Sequence, residues 1–145
     1  MSKQIYFEDV EPGFELAPVE KLPTTQQLVM YAGASGDYYQ IHYDKDFALA
    51  NNLPGVILHG AIKNGFLGQL MTDFAGTEGW LKKLSVQYRG MDQPGSKVVA
   101  RGKVVRKYVA GEEHLVDCEI WLENAEGKVT TPGTATVRLP ARAPH

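Results

Sequence analysis

Residues 61–75 read AIKNGFLGQLMTDFA, and shortly after them residues 80–88 read WLKKLSVQY. In the first stretch Ile62, Phe66, Leu70 and Phe74 recur every four residues, with Leu67 and Met71 widening the stripe. That spacing predicts one helix over 61–75, apolar around so much of its surface that it must be buried. Gly65 and Gly68 would each weaken an isolated helix by about 0.8–1 kcal/mol relative to Ala. We read them as close packing against something flat, such as a sheet. In the second stretch the period drops to two. Leu84, Val86 and Tyr88 alternate with Ser85, Gln87 and Arg89, as side chains of a strand do.

Downstream the strand pattern continues. Pro94-Gly95 marks a turn, Lys97 to Val109 reads as a long strand, and Ala110-Gly111-Glu112 turns again. Val116, Cys118, Ile120 and Leu122 then share one face, and after a turn at Asn124 to Gly127 so do Ala135, Val137 and Leu139. Four strands joined by short turns predict an antiparallel meander, with Arg101, Lys103 and Lys107 pointing away from the core. Upstream, Phe14 to Val19 is an extended piece bounded by prolines, which favours a sheet edge. Thr24 or Thr25 can cap a helix over Gln26 to Ala32, broken by Gly33 and Gly36. Asp44 can cap a second helix over Lys45 to Asn51. The expected class is α+β: a curved antiparallel sheet of about five strands with one long helix against its concave face.

The 145 residues fit one domain, 1–145, with no repeat or long linker. Fifteen basic against seventeen acidic residues give a net charge of −2, which argues against a life spent on nucleic acid or anionic lipid. No apolar run approaches the roughly 20 residues of a membrane span, and the first residues lack a secretory pattern, so we expect a cytoplasmic protein. The single cysteine, Cys118, has no internal partner and falls on an apolar strand face, where it reads as core.

The chemistry-bearing stretch is 31–44, YAGASGDYYQIHYD, followed by 55–61, GVILHGA. Asp37 and His42 lie five residues apart in an irregular, glycine-flanked segment, the kind of backbone that holds catalytic side chains. An aspartate can orient or share a proton with an imidazole that titrates near neutral pH. Gly60 follows at a predicted helix start, where free N–H groups attract developing negative charge. Acid, base and oxyanion donor together point to proton transfer beside a carbonyl.

Ser35-Gly36-Asp37, Ile41-His42 and Leu58-His59-Gly60 resemble the signature of the (R)-specific enoyl-CoA hydratases, also called hydratase 2 or MaoC-like dehydratases. The likeness extends over most of the chain. It implies the hotdog fold, in which a sheet wraps a long central helix. It also implies that Asp37 and His42 form the catalytic pair and that the Gly60 N–H holds a thioester oxygen, although a glycine there can also simply permit the turn. His59 would fix the turn at Gly60 or line the substrate pocket. The family's Asn-Pro is replaced by Tyr39-Gln40, which puts an aromatic Tyr39 at a substrate-binding position.

The resemblance implies an acyl thioester of coenzyme A or acyl carrier protein as substrate and no metal, flavin or nicotinamide cofactor. A metal on Asp37, His42 and His59 is the alternative use of the same side chains. A homodimer is implied, with a heterodimer of related subunits as a second arrangement. Lys63, on the buried helix, would reach the pocket mouth or a dimer interface. Lys82, Lys83, Arg89, Lys97 and Arg101 would meet coenzyme A phosphates or form a solvated strand face. A thioesterase and a non-catalytic acyl-binding subunit are the rival functions.

Overall fold

The computed structural model describes residues 3–142. The long helix, α3, runs from Gly60 to Ala75 and buries Ile62, Phe66, Leu67, Leu70, Met71 and Phe74, the whole expected stripe. Before it come a short strand β1 (Val19–Lys21), helix α1 (Thr25–Ser35) and helix α2 (Lys45–Ala50). After it come β2 (Trp80–Val86), β3 (Val98–Ala110), β4 (Glu113–Asn124) and β5 (Val129–Arg138). All five strands pair antiparallel in the order β1-β3-β4-β5-β2. Val104, Val116, Cys118, Ile120, Leu122, Ala135 and Val137 are buried in the same core cluster as the α3 stripe. Curved sheet around one helix is the expected architecture.

Local chemistry explains the boundaries. The Thr24 side chain accepts the Gln27 N–H at the start of α1, and that of Asp44 accepts the Phe47 N–H at the start of α2. Gly33 does not break α1. The helix continues to Ser35 and is closed by Gly36 at φ 78°, a left-handed position suited to glycine. Of the extended segment expected at 14–19, Glu15 forms an isolated bridge to Lys103, and the edge strand itself begins at Val19.

Three further expectations need correction. The strands do not form a four-strand meander. β3, β4 and β5 do, but β2 pairs with β5 at the far edge. Residues 87–97 connect the edge strand β2 to β3, next to the opposite edge, a span too long for a tight hairpin, and Pro94-Gly95 is a turn within it. Gly65 and Gly68 are not forced by close packing either. A methyl group at Gly65 would meet open space, and one at Gly68 would reach Leu84 at 4.0 Å, ordinary contact. Finally, a register shift between Val104 and Arg106 changes the alternation in β3. Lys107 is therefore half-buried, its Nζ donating to the carbonyls of Phe7 and Val10 (2.9 Å each).

Candidate active site

The segment leaving α1 is held by its own short polar side chains. The Ser35 hydroxyl donates to the Tyr31 carbonyl (2.7 Å) and accepts the Asp37 N–H (3.2 Å). Asp37 Oδ1 in turn accepts the Tyr39 N–H (3.3 Å). A single 3₁₀ turn, Gln40–His42, then carries the imidazole inward, so that His42 is buried while the Asp37 side chain stays half-exposed.

His42 is tied to the strand-like run before α3. Its Nδ1 lies 2.8 Å from the Ile57 carbonyl, and the Ile57 N–H donates to the Ile41 carbonyl (3.1 Å). A carbonyl can only accept, so Nδ1 carries the hydrogen and the neutral ring keeps its lone pair on Nε2. That Nε2 lies 3.9 Å from Asp37 Oδ2. The gap is too long for a direct hydrogen bond.

Beside His42 opens a groove of about 250 Å³, lined also by Ile57, Gly60, Lys63, Tyr88 and Met91. Gly60 is the first residue of α3, and no side chain caps that helix start. The first-turn N–H groups have no partner within a helix, so the groove meets a positively polarised helix end. A methyl group at Gly60 would lie 2.8 Å from the half-exposed Tyr88 ring, so any larger residue must displace one or the other. Burial of Tyr88 and the nearby Tyr31 push the Tyr88 phenol above its ordinary range.

The five residues singled out by sequence are thus gathered, but not in equal roles. Tyr39 does not line the groove; it is half-exposed, its ring edge-on to His42 at 6.2 Å and to Phe47 at 6.0 Å. His59 neither lines the groove nor hydrogen-bonds the Gly60 turn. It is fully buried, and its ring is stacked on that of His42 with centroids 3.9 Å apart and planes 21° from parallel. Burial, reinforced by the neighbouring His42, pushes its pKa below the ordinary histidine value.

Donor atoms of Asp37, His42 and His59 all lie within 4.8 Å of one another. Stacked imidazoles direct their lone pairs side by side, however, so one ion cannot sit in both ring planes as coordination demands. Lys63 lines the groove but reaches no free surface. It is buried, and its ammonium donates to Asp92 Oδ2 (3.1 Å) and the Gly90 carbonyl (3.0 Å). Asp92 and Tyr88 were not singled out by sequence. A lysine within an apolar stripe signals a buried partner, but nothing local says which acid supplies it. Lys82, Lys97 and Arg101 pair with Glu113, Glu20 and Glu123, as a solvated strand face does.

The family model described as "MaoC like domain" matches residues 10–124, spanning the Asp37–His42 turn, α3 and the first three strands after it. The chain belongs to the MaoC-like domain family. An (R)-specific enoyl-CoA hydratase of Rhodospirillum rubrum is 28% identical over 138 residues, covering 94% of this MaoC-like chain and 93% of that protein. The R-hydratase PhaJ1 of Pseudomonas aeruginosa superposes with a TM-score of 0.85 at 19% identity, over 96% of this chain and 88% of that one. A chain of the ChsH1-ChsH2 complex of Mycobacterium tuberculosis gives 0.78 at 19% identity, over 89% and 98%. These two structural likenesses establish the shared hotdog fold of the MaoC-like chain.

Proposed function

We propose that this chain catalyses the (R)-specific hydration of trans-2-enoyl thioesters, carried by coenzyme A or acyl carrier protein, or the reverse dehydration. The observation that carries the reading is the 3.9 Å separation of His42 Nε2 and Asp37 Oδ2 beside a groove that ends on the N-terminus of α3. A water held by both groups is activated as its oxygen bonds to C3 of the substrate. One proton leaves that water to the pair and one is delivered to C2, so the 3-hydroxyacyl thioester forms with no net change in protons. Positioned proton transfer of this kind is worth about 10²–10⁴-fold. The Gly60 N–H is the donor for the thioester oxygen, on which negative charge grows as C3 is attacked, a contribution of roughly 3–4 kcal/mol in the transition state.

Family membership supports hydratase or dehydratase chemistry, and the R. rubrum relative is named for that activity. The working form is proposed to be a homodimer, with pairing to a related subunit as the other arrangement.

The test is purified chain with crotonyl-CoA, followed by loss of enoyl absorbance and by chiral analysis of the product. Asp37→Asn and His42→Ala should each lower turnover by about 10²–10⁴-fold while the protein stays folded. Wild-type rates in both variants overturn the assignment. Release of free thiol without hydration identifies a thioesterase, and no reaction across a panel of enoyl chains identifies a binding subunit.

A further inference from the structure

His59 belongs to the Leu58-His59-Gly60 run, yet the proton-transfer scheme leaves it unused. It is fully buried, and neither ring nitrogen has a hydrogen-bond partner among the described residues. Burying an imidazole without partners is costly, so its presence calls for a reason other than hydrogen bonding. What the ring does have is aromatic contact. Its face lies on His42, with centroids 3.9 Å apart and planes 21° from parallel, and Tyr31 of α1 packs on it in a T at 4.8 Å.

We propose that His59 is a positioning residue for His42, its flat face fixing the plane of the His42 ring so that Nε2 is aimed toward Asp37. This inference rests on reading Asp37 and His42 as the proton-transfer pair. The hydrogen bond from Nδ1 to the Ile57 carbonyl fixes one direction in the His42 ring. A single hydrogen bond tolerates tilting of the ring through its side-chain torsions, and such tilting would swing Nε2 away from Asp37. A face-to-face neighbour removes this freedom. The neighbour must itself be held, and as N-cap of α3 with Tyr31 against it His59 is anchored by two helices.

Its orphaned nitrogens separate this role from a proton relay, which needs a hydrogen-bonded partner on each side. Burial and the adjacent His42 also keep His59 from taking a proton, against the weaker opposing pull of Asp37. The other titratable groups facing the stack are Tyr31 and Tyr39.

His59→Gln keeps side-chain length and polarity but removes the face, whereas His59→Phe keeps the face and removes the nitrogens. With the crotonyl-CoA assay, His59→Gln should lower kcat by about 10- to 100-fold, since small misplacement of a reacting group costs that much, with KM nearly unchanged. His59→Phe should recover most of that loss. Circular dichroism and thermal melting verify that each variant is folded, and His59→Met serves as the flexible replacement if the Gln variant does not fold. An unchanged kcat in His59→Gln overturns the proposal. So does a His59→Phe that falls as far as His59→Gln, because the nitrogens would then be what matters. His42→Ala run in parallel separates the two ideas: if it keeps wild-type turnover, the proton-transfer reading itself has failed.

Discussion

A methyl group at Gly60 would lie 2.8 Å from the Tyr88 ring, so alanine there must move the ring or the first turn of α3. Gly60→Ala is expected to lower kcat/KM on enoyl thioesters by about 10²-fold through that displacement, with helix content by circular dichroism unchanged. The stacked pair makes a prediction of its own. The His59 pKa is lowered on folding, chiefly by burial. Below its unfolded value near 6.5 the unfolded chain binds a proton that the folded chain resists, so stability falls as pH drops from about 6.5 toward the lowered value. Urea midpoints at pH 7.5 and pH 5.5 check this, and His59→Phe should show a smaller difference between them. Asp37 and His42 were legible in the sequence because both lie in one short turn, with Ser35 and Gly36 shaping the approach. The place of His59 was not. It depends on α1, the Gln40–His42 turn and the start of α3 meeting, and no spacing in the chain records that meeting.

At the level of elements, the crossing segment 87–97 and α3 are joined by a buried charge network. Lys63 and Asp92 are both almost completely buried, and the Thr130 hydroxyl donates to the same Asp92 Oδ2 at 2.7 Å. Removing one member strands the other. Lys63→Met should cost about 3–5 kcal/mol in urea unfolding, and replacing Lys63 and Asp92 together by apolar residues should restore much of it. The stripe of α3 and the alternation in β4 and β5 were readable because each reports its own local periodicity. Strand order was not, since Pro94-Gly95 reads as a hairpin turn whether or not its neighbours pair. What carries residues 87–97 from β2 across to β3 is spread over the chain: the Gln87 and Arg89 N–H groups bond to β5 carbonyls, the Asp92 carbonyl accepts from Leu58, and Gly95 N–H donates to Pro23.

For the whole molecule, α1, the Asp37–His42 turn and α2 all carry large apolar side chains that meet solvent. Val29, Met30, Tyr38, Tyr39 and Leu49 are each about half exposed or more. A second copy covering part of this chain would remove such surface from water. Sedimentation should therefore find a species of twice the 16.0 kDa chain mass, and a species of the single chain mass at micromolar concentration would refute the dimer. No helix is long and apolar enough to cross a membrane among the described residues.

The two halves of the groove come from separate stretches of chain: His42 from a turn tied to Ile57, and the facing wall from the 88–91 run tied to β5. Acid–base geometry and the width of the channel can therefore vary independently. If the proposed hydratase reaction holds, a library confined to Tyr88, Arg89 and Met91 should retune acyl-chain preference while leaving the pH dependence of turnover where it was.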